Sequence, residues 1–312
     1  MLATQRILED YRSSDPQIRR YLQRVERLMA RLGRLETVEV RRALRLLTDA
    51  RRRILDELAS LPVTADGSLR AVTLRALQLA LEQETARFAS DYRQSLIQAL
   101  DDAWALGIEL VPETLDALGI TLTLAPQISR TQLEIAQGYT VELVRRISDD
   151  LRNRITERIR LGVLGGETIA SLQRKIAADL RTEPSRYDHR LGPFAIQAER
   201  IVRTELQTVF SLANEARQQQ LAEQVPGLRK VWLTARDDRV RPAHVTAGNQ
   251  YAPGGRPGPI PVHQDFIVGG ERAKHPKDPR LSPGNRINCR CISMLYHPDW
   301  ERWRQQAAGA DQ

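Results

Sequence analysis

Two cysteines and one histidine are the residues of this 312-residue chain whose types best suit metal chemistry. Cys289 and Cys291 form a Cys-x-Cys pair, and His244 offers a third donor for Zn²⁺, which commonly takes four nitrogen or sulfur ligands. On a strand, both thiols would point to the same face because side chains alternate. We expect buried thiols without a cofactor, and a Zn²⁺ site is the alternative. The candidate fourth ligands are His275, His263 and Asp237.

Acidic and basic side chains alternate just before this histidine, in the pattern Asp237-x-Arg239-x-Arg241. In metal-dependent nucleases a histidine activates water and a carboxylate holds the ion, so the pattern invites comparison with that class. The chain lacks a His-His or paired-acid motif here, and arginines this close to a carboxylate favour ion pairing. We therefore expect these three residues to fix a turn by charge-assisted hydrogen bonds, and we expect no catalytic residue.

The cysteine count and the hydropathy bear on the compartment. Two cysteines separated by one residue cannot form a secreted disulfide framework, and a bridge between them would be strained. No run of eighteen apolar residues is present, so we expect no membrane partner. The first residues become charged at Arg6 without the apolar region of a secretory signal. A reducing cytoplasm during synthesis is the expected setting.

Positive charge is concentrated towards the C-terminal end. Residues 226–304 contain 14 Lys and Arg against 7 Asp and Glu, so this quarter carries +7 of the total net charge of +8. Such an excess favours association with polyanions, and we expect binding to double-stranded DNA to be phosphate-directed and independent of sequence. The Arg-rich codons of a high-GC genome are the alternative source of the charge. The candidate phosphate contacts are Arg256, Arg272, Lys274, Lys277, Arg280 and Arg286.

The upstream residues recur at helical spacing. Apolar residues within 18–32 and 40–61 follow steps of four and three, which predicts an antiparallel hairpin or short coiled coil joined near Gly33–Thr37. A long helix is expected from Ser68 to about Gly107, with Pro112 breaking the pattern and a short extended piece at 121–124. Further helices are predicted at 129–164, 168–180 and 194–224.

After residue 226 the periodicity changes. The sequence predicts a strand at 228–234, a turn at 236–239, a short helix at 242–248 and a closing strand at 290–296. Between them lies a loop rich in Pro and Gly, and residues 299–308 are expected to form a terminal helix bearing Trp300 and Trp303. We expect Trp232 in the core of this region, and Arg203 and Glu205 of the preceding helix to pair with it.

The predicted fold is mainly α, an elongated multi-helix N-terminal region with a small α+β C-terminal module. We expect residues 1–67 to form a helical hairpin or coiled-coil arm and residues 68–193 a long-helix region. Residues 194–304 would form the C-terminal module, and residues 305–312 a flexible tail.

A series of motifs follows in order between about Leu161 and Tyr296. They are Gly165-Gly166-Glu-Thr-Ile-Ala, Ala198-Glu-Arg-Ile-Val-Arg-Thr-Glu205, Asn214, Val231-Trp232, Asp237-x-Arg239-x-Arg241-x2-His244, Gly248, Phe266, Pro276 with Asp278-Pro279, and Asn288-Cys-Arg-Cys291. In this order and spacing the set resembles the phage Mu F-like minor head protein family, the phage head morphogenesis proteins.

The resemblance implies a minor component of a tailed-phage or prophage head, incorporated with the portal protein during procapsid assembly. The implied partners are the portal protein, capsid or scaffold proteins and, in some members, the packaged DNA. The implied location is the virion head interior near the portal vertex, after assembly in the host cytoplasm. The family is not established as an enzyme, so we expect none. A metal-dependent nuclease or toxin-like effector and a general nucleic-acid-binding structural protein are the alternatives.

The resemblance also marks residues of the motifs as structural. Many members carry a second cysteine pair where this chain has Arg241 and His244, so a metal site taken from those members is incomplete here. The motif residues are Arg203, Glu205, Asn214, Trp232, Asp237, Arg239, Arg241, His244, Asn288 and Arg290.

Overall fold

The computed structural model of the chain describes residues 16–62, 74–117, 128–184, 191–235 and 237–299. The predicted fold class is confirmed, because the chain is mainly helical with a small α+β region at its C-terminal end. None of the helices in these ranges combines the length and apolar character that crossing a membrane requires. The first five helices are α1 (Pro16–Ser60), α2 (Leu74–Ala117), α3 (Thr131–Leu164), α4 (Ile169–Asp179) and α5 (Pro193–Ala222).

The C-terminal region alternates short strands and helices. Its elements are β1 (Arg229–Leu233), α6 (Pro242–Gln250), β2 (Ile260–Pro261), β3 (Phe266–Val268), β4 (Glu271–Ala273), α7 (Pro283–Arg286) and β5 (Ile292–Tyr296). The predicted extended piece at 121–124, the terminal helix with its two tryptophans and the predicted tail all lie wholly or mainly outside the described residues.

Helix α1 runs without a break through Gly33–Thr37, where the sequence predicted the turn of a hairpin. The hairpin prediction is therefore wrong. Buried residues continue on one face across this stretch, with Leu32 before it and Val40 after it. Because the apolar face stays in phase, burial along the helix outweighs the cost of about 1 kcal/mol for a glycine in a helix.

Helix α2 also continues beyond its predicted end at Gly107 and through Pro112. Both predicted breaks are wrong for a packing reason. A Cβ at Gly107 would lie 2.3 Å from the carbonyl oxygen of Phe210, so glycine permits the close approach of α5. On either side of Pro112, Val111 and Leu115 are buried, and their burial offsets the cost of about 3 kcal/mol of a proline inside a helix.

The described residues group into two compact units, and each unit draws on several stretches of the chain. The first lies within Met1–Glu36, Ala99–Ala136 and Thr204–Gln312, and the second within Thr37–Gln98 and Gln137–Arg203. The domain boundaries proposed from the sequence follow chain order, and they stay a prediction.

Helix α3 ends in the second unit where the sequence predicted it. Gly166 adopts a left-handed φ of 64°, a conformation in which glycine has no Cβ penalty, and this terminates the helix. Thr168 then caps α4 by accepting a hydrogen bond from the Ser171 amide at 3.3 Å. The buried Asp179 at the end of α4 pairs with Arg158 of α3, which ties the two helices together.

The first unit contains both sheets. One has the antiparallel order β2-β1-β5, and its register places Trp232 opposite Ser293. The other is the β3–β4 hairpin, whose turn residues Gly269 and Gly270 have φ values of 58° and 82°. Trp232 is buried edge-on against Phe266 with ring centroids 5.3 Å apart, so its prediction as a core residue is confirmed.

Candidate metal centre and its bracing network

The three predicted metal ligands converge in the first unit. His244 is carried by α6, which begins with Pro242 at its first position. Cys289 and Cys291 lie between α7 and β5, because β5 starts at Ile292 and not at residue 290 as predicted. The thiols therefore come from a connection whose ends are fixed by a helix and a strand.

The three donor atoms lie at distances that suit one ion. His244 Nδ1 is 3.4 Å from Cys291 Sγ and 3.5 Å from Cys289 Sγ, and all three donor atoms lie within 4.8 Å of one another. Zn–N and Zn–S bonds of tetrahedral geometry would separate these nitrogen and sulfur atoms by about 3.6 Å. All three residues are buried, so this cluster can hold a metal ion with little rearrangement.

Charge in the cluster favours one thiolate. The hydrogen bond from the Cys291 thiol, together with His244 and Lys277, holds the pKa of Cys289 well below its usual range, although burial opposes this. The negative Cys289 and burial raise the pKa of Cys291 in turn. A single thiolate is thus shared between the two cysteines.

Lys277 is the cation that faces this thiolate, and its side chain is fully buried. Its Nζ donates to Gln207 Oε1 at 3.1 Å and to Ser211 Oγ at 3.2 Å, both on α5. Burial lowers the pKa of Lys277, and the two cysteines oppose that shift. The residue also has a left-handed φ of 69°, which is uncommon for a side chain with a Cβ.

None of the three predicted fourth ligands joins the cluster within the described part of the chain. His263 is exposed, and Asp237 is engaged in an ion pair. His275 is buried with its Nδ1 2.8 Å from the carbonyl oxygen of Pro276, and burial lowers its pKa to about 4. His244 Nε2 is itself buried without a hydrogen-bond partner.

Asp237 is held by an arginine that the sequence reasoning did not pair with it. Arg290, which lies between the two cysteines, donates two hydrogen bonds of 2.6 Å to its carboxylate oxygens. The Arg239 amide adds a third at 3.2 Å, and these contacts, Arg290 first, lower the pKa of Asp237 to about 2. The predicted contact with Arg241 is wrong, because Arg241 donates to the carbonyl oxygen of Ile287. The position of Arg290 between the two cysteines was the available signal.

Glu205 pairs with the C-terminal region as predicted. Both of its carboxylate oxygens accept from Arg286 Nη2, at 2.9 and 3.0 Å. Burial raises the pKa of Glu205, and the nearby guanidinium partly reverses that shift. Arg203 forms an ion pair of 2.6 Å with Glu199, one turn earlier on the same helix.

Amide side chains of α5 bind the outer edge of β5. Asn214 Nδ2 donates to the carbonyl oxygen of Ser293 at 2.8 Å, and Gln218 Nε2 donates to the same oxygen at 3.2 Å. Gln218 was missed, although it follows Asn214 by one helical turn. Asn288 adopts a left-handed φ of 55°, and its amide donates to Thr204 Oγ1 at 3.4 Å. The motif residues therefore connect α5 to the sheet and to the cysteine loop.

A buried ion pair between β1 and α5 was also missed. Lys230 Nζ lies 3.1 Å from Glu215 Oε1, donates to the carbonyl oxygen of Lys274 at 2.6 Å, and sits 5.0 Å from the centroid of the Phe266 ring. Lys230 is followed in its strand by three buried apolar residues, and Glu215 falls on the buried face of α5. The available signal was that each element has a charged residue at a position where its apolar pattern predicts burial.

Two of the six predicted phosphate contacts are wrong because their side chains are largely buried, and a third is engaged by acids. Lys277 is fully buried, and the Arg286 side chain is only 14% exposed against Glu205. Arg280 is neutralised by ion pairs with Asp265 at 3.0 Å and Asp278 at 2.8 Å. The remaining candidates are exposed, and they are Arg256, Arg272 and Lys274.

Comparison of the chain with protein-family models, with curated proteins and with solved structures finds no match.

Proposed function

We propose that this chain is a minor head protein of a tailed phage or prophage, which acts in head morphogenesis by associating with the portal protein. The proposal starts from the motif resemblance, and the contacts of the motif residues support it. Glu205, Asn214, Asp237 and Arg290 are all engaged in bonds that hold the C-terminal region together. This use of polar residues suits a recognition module whose surface, rather than a catalytic cleft, carries its function.

The portal association is tested with the portal protein encoded by the same phage or prophage. The full chain, co-expressed with a tagged portal protein, should co-purify with it and co-sediment with the assembled ring. A tagged major capsid protein serves as the matched bait. If the chain is not enriched on the portal protein relative to the major capsid protein, the proposal is contradicted. Disruption of the gene should also give defective heads, and a normal yield of infectious particles would contradict it.

The donor set of the cysteine cluster supports Zn²⁺ as the ion it would hold. Two cysteine sulfurs, which both lose their protons on binding the ion, and an imidazole are soft and borderline ligands that Zn²⁺ prefers, and their burial suits a structural ion. His244, Cys289 and Cys291 would bind it, and the ion would crosslink α6 to the loop before β5.

Metal analysis of the purified full chain tests this assignment. We expect about one equivalent of zinc in the parent and a strong loss in the Cys289→Ser and Cys291→Ser variants. His263→Ala is the matched control, because that histidine is exposed and outside the cluster. Zinc at background level in the parent would refute the zinc site and leave the portal proposal standing.

One observation favours an enzyme as the second candidate function. Three protein ligands leave a coordination position for water, as in catalytic metal sites, and a metal-dependent nuclease would use such a position. A plasmid nicking assay with Mg²⁺, Mn²⁺ or Zn²⁺ tests it. Cleavage that is lost in His244→Ala would support the enzyme, and equal traces of activity in both proteins would reject it.

A further inference from the structure

Helix α1 carries a row of exposed arginines along one face. Arg20, Arg27, Arg34 and Arg41 follow one another at intervals of seven residues, and Arg45 lies one turn beyond the last. Seven residues make almost two full turns, so the row stays on a narrow strip of the helix surface. The row is a property of a single helix that extends unbroken from Pro16 to Ser60.

The five arginines of the row differ in pairing from other arginines of the same helix. None of them forms a side-chain hydrogen bond or ion pair within the residues that the structure describes, whereas Arg24 and Arg31 of the same helix pair with Glu113 and Glu109. No exposed acid interrupts the row. The acids between its ends are Glu26, Glu36 and Glu39, and each of them is at least half-buried.

The exposed and unpaired positive charge is distributed differently from the count of basic residues along the sequence. The C-terminal region has the larger excess of basic residues, but Arg280, Arg286 and Arg290 are engaged by acids. The upstream helices have nearly balanced composition, yet α1 turns its unpaired arginines to one exposed side. An uncompensated positive strip therefore lies on α1.

The geometry of the row suits a long, stiff polyanion. With a rise of about 1.5 Å per residue, neighbouring arginines of the row are about 10.5 Å apart along the axis. The distance from Arg20 to Arg41 is then about 32 Å, close to the length of about 34 Å of one turn of duplex DNA. Arginine also presents a planar fork that matches phosphate oxygens.

We propose that the arginine row of α1 binds the phosphate backbone of duplex DNA without sequence preference. An acidic protein helix is the weaker candidate, because exposed ion pairs contribute little each and the row offers only Val38 as an exposed apolar contact. Binding to duplex DNA is favoured by counterion release. For six to ten phosphate contacts, the affinity falls by about 10³–10⁵-fold between low and moderate salt. DNA binding by the row follows from the charge of α1 and does not depend on the proposed role in head assembly.

The test compares two variants of equal charge in the full chain. The first is Arg27→Gln/Arg34→Gln/Arg41→Gln, and the second is Arg256→Gln/Arg272→Gln/Lys274→Gln. Each removes three exposed positive charges, and glutamine has a helix propensity close to that of arginine. Binding to a duplex of three helical turns is measured by fluorescence anisotropy over a range of salt concentrations, with circular dichroism to establish that both variants fold.

We expect the α1 variant to lose at least about tenfold in affinity and to lower the slope of log K against log salt by up to about 2.7, the value for three phosphates. The C-terminal variant should change much less, and Arg→Lys substitutions in the row should retain binding. An equal or larger loss in the C-terminal variant would overturn the proposal. So would the absence of a duplex complex at low salt, or binding to anionic vesicles or a polyglutamate peptide but not to DNA.

Discussion

Arg290, which lies between the two cysteines in the sequence, donates two hydrogen bonds of 2.6 Å to the carboxylate of Asp237. This pair anchors the cysteine loop to the turn that precedes α6, and α6 carries His244. The positions of the one nitrogen and two sulfur donors therefore depend on the ion pair between Arg290 and Asp237, although neither of these residues belongs to the cluster.

Loss of this anchor should destabilise the chain measurably. We expect Asp237→Ala to lower the free energy of unfolding by about 1–2 kcal/mol, less than for a fully buried charged pair because Arg290 is partly exposed. Urea unfolding followed by circular dichroism measures the change. Arg239→Ala is the matched control, since Arg239 is 77% exposed and its contact is 3.5 Å long, and it should stay within about 0.5 kcal/mol. Equal effects of the two substitutions would contradict the anchor.

The same pair predicts a pH dependence of stability. The folded-state pKa of Asp237 is about 2, below the ordinary value of 3.8. A depressed pKa means that the contribution is present above the unfolded value and is lost as pH falls through the folded value. The difference in unfolding free energy between the parent and Asp237→Asn should therefore shrink between about pH 4 and pH 2. Unfolding curves recorded at intervals across this range measure it, and a constant difference would argue against the shift.

Two glycines in long helices should respond in opposite directions to alanine. At Gly107 a Cβ would lie 2.3 Å from the Phe210 carbonyl oxygen and 2.7 Å from Ala213 Cβ, so Gly107→Ala should cost about 1–3 kcal/mol or more. At Gly33 nothing lies within 4 Å, so Gly33→Ala should stabilise the helix by up to about 1 kcal/mol. Thermal and urea unfolding compare the two. Destabilisation by Gly33→Ala would support a turn at that position in place of the continuous α1.

The buried ion pair of Lys230 and Glu215 should be sensitive to the loss of one partner only. Lys230→Met leaves the Glu215 carboxylate buried without its cation, and we expect a loss of about 3–5 kcal/mol. Lys230→Met combined with Glu215→Leu should recover much of that loss, because no unpaired charge remains. A double-mutant cycle by urea unfolding gives the coupling, and additive effects of the two substitutions would refute it.

The elements that follow apolar spacing were predictable from the sequence. The helix at 168–180 and the strand at 228–234 were predicted from amphipathic spacing and from alternation, which are patterns over a few residues. Glycines and prolines in long helices were misjudged for the opposite reason. Gly107 serves a contact with Phe210, a residue about a hundred positions away, and local spacing does not reveal it.

The candidate site was only partly predictable. His244, Cys289 and Cys291 could be predicted as one site from residue type, because few residues of the chain can ligate a soft ion. Charge counts failed for Lys277 and Arg286, since a count treats every basic residue as exposed. Their burial depends on which acid or amide of α5 faces them, and that is decided by tertiary packing.

The hydrogen bonds from α5 to β5 also occupy backbone groups of an edge strand. The carbonyl oxygen of Ser293 is occupied by Asn214 and Gln218, and that of Leu295 accepts from the Tyr21 hydroxyl at 3.5 Å. An edge strand with free carbonyls is a template for pairing with a strand of another molecule. The side chains of Asn214, Gln218 and Tyr21 thus occupy carbonyl groups of β5 that a strand of another molecule would otherwise bind.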